Sequence, residues 1–137
     1  MHYSNLYNRL YTWRQKVSAA LAAVWSYRPS RFYFLAVGLS QALSWLQAGL
    51  IYRNLSGNLL VLHYNVDFGV DLVGPPARIF IYPFFGLAIF LINLIFAAGL
   101  RRHKDWRIFI HLLFGAALAF AIFLNLTFWF IYLINFR

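Results

Sequence analysis

The chain has no cysteine and only three acidic residues, Asp67, Asp71 and Asp105. Without cysteine there is no disulfide, no thiol nucleophile and no cysteine metal site, and nothing from which to read a redox compartment. The shortage of acids leaves no pair of carboxylates within an apolar run. Gly-x-Ser-x-Gly, His-Glu-x-x-His and P-loop patterns are also missing. Asp67 and Asp71 have no evident base or nucleophile partner. The expectation is therefore a protein that is not an enzyme, with no catalytic, cofactor-binding or metal residue to name. Charge of either sign is sparse as well. Charged residues make up 11% of the chain, against about 25% in soluble domains.

What is abundant is apolar sequence. Hydrophobic residues reach 63% over 137 positions. They gather in three uncharged runs at about 32–52, 79–100 and 108–136. A helix needs about 20 mostly apolar residues to cross a hydrocarbon core of about 30 Å. Within lipid it must pair every backbone polar group internally. The sequence thus predicts an all-α membrane protein of two parts. Residues 1–30 form a basic amphipathic arm. Residues 31–137 form a three-helix transmembrane domain with an extended outer loop at 53–78.

The net charge of +9 would suggest nucleic acid in a soluble protein, but topology accounts for it here and no nucleic acid is expected. Arg9, Arg14, Lys16, Arg28 and Arg31 precede the first run with no acid among them. The second connection reads Arg101-Arg102-His103-Lys104-Asp105-Trp106-Arg107. The first connection holds only Arg53 and Arg78, beside Asp67 and Asp71. Lys and Arg collect on the cytoplasmic side, which predicts a cytoplasmic N-terminus, an outer loop outside and an outside C-terminus. Positive charge also favours anionic headgroups, so membrane lipids are expected partners and structural lipids the only expected cofactors.

No compact apolar core with a cleavage site is visible in the first 30 residues. On a helical wheel Leu6, Leu10, Trp13, Val17, Leu21 and Val24 share an arc of roughly 100°, with Arg14 on one flank and Arg9 and Lys16 on the other. Such a helix lies in the membrane interface with its Arg stems reaching headgroups. Pro29 is expected to break it before the first crossing.

Polar residues inside the runs are few and aligned. Ser40, Ser44 and Gln47 form one stripe, with Gln41 beside it and Gly38 and Ala42 spaced four apart. Gly86, Asn93 and Ala97 share a stripe in the second run. Gly115 and Ala119, with Asn125, mark the third. Small residues permit close backbone approach and amides bond between helices, so these nine stripe positions are read as helix packing. Ion pathways use Asp, Glu, His or Arg within crossings. Here there is only His111, read as an interfacial histidine. Aromatics make up 21% of the chain, more than three helices can bury, so rings such as Phe84 and Phe85 are expected to meet lipid or other subunits.

In the outer loop Tyr64, Val66, Phe68, Val70 and Leu72 alternate with His63, Asn65, Asp67, Gly69 and Asp71. Period two describes a strand-like segment with an apolar face for a partner and a polar face. Same-face side chains stand about 6.6 Å apart in a strand, too far for one ion unless the chain turns at Gly69. Gly74-Pro75-Pro76 ends the segment, and Asn54-Leu55-Ser56 matches the short glycosylation pattern.

Leu62-His63-Tyr64-Asn65, then Gly69 and Asp71, then Tyr82-Pro83, resembles a short bacterial membrane domain found in SdpI-like toxin-immunity and signalling proteins. The resemblance covers roughly residues 60–95. It departs at Leu60, where that domain has Pro, and in the Gly–Asp spacing. It implies a bacterial inner or plasma membrane and brings no catalytic residue. Two expectations follow. The first is an accessory or structural subunit of a larger membrane protein complex. The alternative is a free-standing immunity or signalling protein that recognises a peptide or lipid through the outer loop.

Overall fold

The structure, a computed structural model, describes residues 2–55, 57, 59–65, 67 and 69–136, with the backbone alone at 2–5, 64, 65 and 71. Helix α1 spans His2–Ser26 and α2 Arg28–Asn54. Strands β1 (Leu60–Asn65) and β2 (Gly69–Gly74) follow, then α3 (Ile81–Gly99) and α4 (Trp106–Phe136). Short 3-10 turns at Pro76–Phe80 and Leu100–Arg102 prolong α3 into a rod of 27 residues.

Helix α2, this rod and α4 are long and apolar enough to cross a membrane, with mean hydropathies of 1.4, 2.4 and 2.2. Helix α2 is the lowest because Ser40, Gln41, Ser44 and Gln47 lie within it. At 1.5 Å per residue its 27 residues reach about 40 Å, more than a hydrocarbon core of about 30 Å. The protein is thus an all-α membrane protein in its spanning part. The helices overrun the apolar windows at 32–52 and 79–100 because Arg28, Arg31, Arg53, Arg101 and Arg102 are good helix formers at the ends of apolar rods.

The break after α1 falls at Tyr27, which is extended (φ −78°, ψ 113°). Pro29 stands in the first turn of α2, where its missing N–H costs nothing. It starts α2 and does not end α1. The N–H of Ser30 closes this corner on the Tyr27 carbonyl at 3.0 Å.

Helices α2 and α4 form the main contact. On α4 the buried residues are Ile110, Phe114, Ala117, Ala121, Leu124, Phe128 and Ile131. Their spacing alternates four and three, which is a heptad seam. Two apolar clusters hold the ends of the bundle. Val24, Ala97, Ile110 and Phe114 form one at the end bearing Arg101 and Arg102, the basic end. Ala48, Ile51, Leu60, Leu62, Ile79, Phe128 and Ile131 form the other, the hairpin end. A polar layer lies between them.

The outer segment is not one extended strand. It folds into an antiparallel hairpin that pairs Asn65 with Gly69 and Leu60 with Gly74. Gly69 has φ +78°, a conformation that a side chain resists. Val66 and Phe68 lie outside the described residues, as does Ser56 of the glycosylation pattern.

Candidate functional site

The polar layer is centred on Asn125. Its amide nitrogen lies 2.9 Å from the Ser40 hydroxyl, 3.1 Å from the Ser40 carbonyl and 2.8 Å from its own-helix carbonyl at Ala121. Its oxygen receives the Ser44 hydroxyl at 3.3 Å, and that hydroxyl also reaches the Ser40 carbonyl at 3.0 Å. The structure therefore brings Ser40, Ser44 and Asn125 together across α2 and α4. Gln41 joins α2 to α3, its amide nitrogen donating to the Pro83 carbonyl. Gly86 is buried opposite it. A Cβ there would stand 2.6 Å from Gln41 Oε1 and 2.8 Å from a Leu124 methyl. The Gln41 and Gln47 amide oxygens and the Ser30 hydroxyl are buried without a hydrogen-bond partner.

The other stripe residues fall differently. Ala97 is buried in the basic-end cluster and Asn93 is half-buried. Gly115 is half-buried, and a Cβ on it would meet only the Tyr33 hydroxyl, at 4.0 Å. Ala119 is exposed, as is Ala42, and Gly38 has open space beside it. The close approach expected at Gly115 and Ala119 is made instead by Ala117 and Ala121. Two residues along a helix is a rotation of about 200°, so these face opposite ways.

At the basic end His111 is bracketed by two tyrosines. The Tyr27 hydroxyl lies 3.0 Å from Nε2 and the Tyr33 hydroxyl 3.2 Å from Nδ1. A neutral imidazole offers one donor and one acceptor, so one tyrosine accepts and the other donates. Both ring nitrogens are engaged in tying the start of α2 to α4. The Arg107 guanidinium carbon stands 5.9 Å over the Tyr27 ring. The Trp106 indole donates to the Ala97 carbonyl at 2.8 Å. Helix α1 docks here through its second half. Arg101 donates to the Lys16 carbonyl at 3.0 Å, and Val24 is buried. Leu6, Leu10, Trp13, Val17 and Leu21 are exposed.

At the hairpin end the Asn135 carboxamide faces the backbone of Val61. Its oxygen accepts the Val61 N–H and its nitrogen donates to the Val61 carbonyl, both at 2.9 Å. The Tyr82 hydroxyl donates to the next carbonyl, of Leu62, at 3.2 Å. Leu60 and Leu62 are buried beneath the hairpin. The apolar face expected over Tyr64, Val66, Phe68, Val70 and Leu72 is split by the turn. Of its described side chains, Val70 is 48% and Leu72 44% exposed, as is the neighbouring Val73 at 41%. The side chain of Tyr64 lies outside the described residues, as do Val66 and Phe68.

Among the described residues no three His, Cys, Asp or Glu side chains gather around one point. The chain matches no protein-family model, no curated protein and no solved structure.

Gln41, Asn135 and the tyrosine pair around His111 are among the contacts that sequence reasoning did not assign. Gln41 adjoins the Ser40 stripe, a signal that was present. Asn135 carries no local signal, because its partner lies 74 residues away.

Proposed function

We propose that this protein is a non-catalytic accessory or structural subunit of a larger membrane protein complex, docking through its hairpin. The observation that carries this reading is the exposure of Val70, Leu72 and Val73 on β2. These side chains lie on a hairpin whose other strand is secured by Asn135 and Tyr82. Exposed apolar residues on a held element mark an interaction surface. Strand β2 pairs with β1 on one side, and an edge strand is a template for a further strand.

In this reading the hairpin stands outside the cell and the basic end in the cytoplasm, an orientation that the Lys and Arg asymmetry supports. Helix α1 is then an interfacial helix, its exposed Leu6, Leu10 and Trp13 set in lipid and flanked by Arg9, Arg14 and Lys16. A bacterial plasma membrane is its setting, and other membrane subunits and lipids its partners.

Extraction in mild detergent without crosslinker tests this. The protein should migrate with a larger assembly, and Leu72→Asp should release it while the isolated variant keeps the helical content of the wild type. Migration of the wild type as a monomer overturns the reading and favours the free-standing immunity or signalling alternative.

A further inference from the structure

A groove of about 370 Å³ lies where the second half of α1 meets α2 and α3, near the basic end. Leu21, Ala22 and Trp25 line it from α1, Phe34 from α2 and Leu94 from α3. All five side chains are aliphatic or aromatic, and the three on α1 are exposed. Two contacts set the direction of α1 against α3. Val24 packs with Ala97, and Arg101 donates to the Lys16 carbonyl at 3.0 Å. The path back along α1 from Val24 to Lys16 therefore follows α3 forward from Ala97 to Arg101, towards the basic end.

That direction brings a cation from each lining helix to the same side of the groove. On α1 Arg14 precedes Leu21 by seven residues and Trp25 by eleven, which puts all three on one face. On the α3 rod Arg101 follows Leu94 by seven, close to the same face. On α2 Arg31 precedes Phe34 by one turn. No carboxylate offsets the three. The one acid of the basic end is Asp105, and its carboxylate lies 3.8 Å from His103. The Lys16 carbonyl takes one of the five donors of Arg101. Guanidinium forks match phosphate oxygens in pairs. An aliphatic and aromatic groove beside them suits an acyl chain. A lipid phosphate with no cation of its own satisfies both, whereas a zwitterionic headgroup brings a positive charge to the same place.

We infer that this groove seats an anionic phospholipid of the phosphatidylglycerol type, its phosphate on Arg14, Arg31 and Arg101 and an acyl chain between Trp25, Phe34 and Leu94. The site rests on the reading of α1 as a lipid-bound interfacial helix and is separate from docking by the hairpin.

The test uses the full chain in mild detergent, titrated with dioleoylphosphatidylglycerol, with dioleoylphosphatidylcholine and with soluble glycerol phosphate. Binding is read by native mass spectrometry and by the shift in unfolding temperature. Phosphatidylglycerol should bind about tenfold more tightly than phosphatidylcholine, and the preference should shrink as salt is raised. Glycerol phosphate, without a chain, should not bind measurably. Replacing Arg14, Arg31 and Arg101 together by Gln should abolish the preference. Replacing Arg9, Lys104 and Arg107 by Gln removes as much charge away from the groove and should leave the preference standing. Ala22→Trp, at an exposed position of the lining, should block phosphatidylglycerol. Equal binding of the two lipids, or no binding, overturns the assignment. Equal loss in the two triple variants shows a diffuse field and not a site, and overturns it as well. Binding of glycerol phosphate as tight as that of the lipid reduces the site to an anion site, and binding that survives Ala22→Trp puts the lipid elsewhere; either result overturns the assignment. Should the groove triple fail to fold, the other two variants and the wild type still decide. Hairpin docking is read from co-migration and Leu72→Asp, so either proposal can fail alone.

Discussion

Single side chains in this protein act through what they leave no room for, or what they alone can bond. Gly86 is the sharpest case. A Cβ would meet both Gln41 and Leu124 within 2.8 Å, so Gly86→Leu should destabilise by about 1–3 kcal/mol or more, as overpacking does. Asn93→Leu, at a half-buried position, should cost no more than about 0.6 kcal/mol, the mean of an interhelical hydrogen bond in a membrane. Thermal unfolding in detergent separates the two. An unchanged Gly86→Leu melt would remove the close approach of the three helices there. His111 presents the opposite case, bonding on both ring nitrogens. His111→Leu should lower stability by about 1–2 kcal/mol, two hydrogen bonds' worth. Its effect should appear as faster proteolysis in the corner between α1 and α2. The stripe Ser40–Ser44 was readable in the sequence because polar residues stand out against an apolar background. The α4 seam was not. Where nearly every residue is apolar, lipid-facing and buried positions look alike, and Gly115 and Ala119 were as plausible a face as Ala117 and Ala121.

At the scale of elements, the three spans were legible because a 20-residue apolar run has few other uses. The hairpin was not. Three residues separate Asn65 from Gly69, so the period-two alternation keeps its parity through the turn and reads as one strand. Only Gly69, a turn residue within that pattern, hinted otherwise. The fastening of the hairpin came from side chains remote in sequence. Asn135 substitutes for a neighbouring strand at Val61, offering one acceptor and one donor. Asn135→Leu should leave both Val61 groups without that partner. Amide hydrogen exchange at Val61 should rise about tenfold, for a loss of about 1–1.5 kcal/mol, while exchange in the middle of α4 stays as it was. Unaltered exchange at Val61 would show that Leu60 and Leu62 alone hold the strand.

The whole molecule is a stack of apolar cluster, polar layer and apolar cluster, with a basic end and a hairpin end. The orientation proposed for it is directly measurable, since the chain has no cysteine to confuse labelling. A cysteine at exposed Gly57 should react with an impermeant thiol reagent added to intact cells, and one at exposed His103 should not. The opposite pattern would invert the molecule. Changing Arg101, Arg102 and Lys104 together to Ala should shift part of the population towards labelling at His103, because the positive charge of short loops sets topology.

The bond between Asn135 and Val61 also sets an order of events. Val61 leaves the ribosome 74 residues before Asn135 does. At roughly 5–20 residues per second that interval is on the order of 4–15 s, far longer than a hairpin needs to form. Through that time the hairpin has no Asn135 to hold it, and Leu60 and Leu62 lack Phe128 and Ile131 to cover them. The last turn of α4 is therefore the latch of the molecule. A chain that stops short of Asn135 carries all but the end of its third span and leaves its hairpin unlatched.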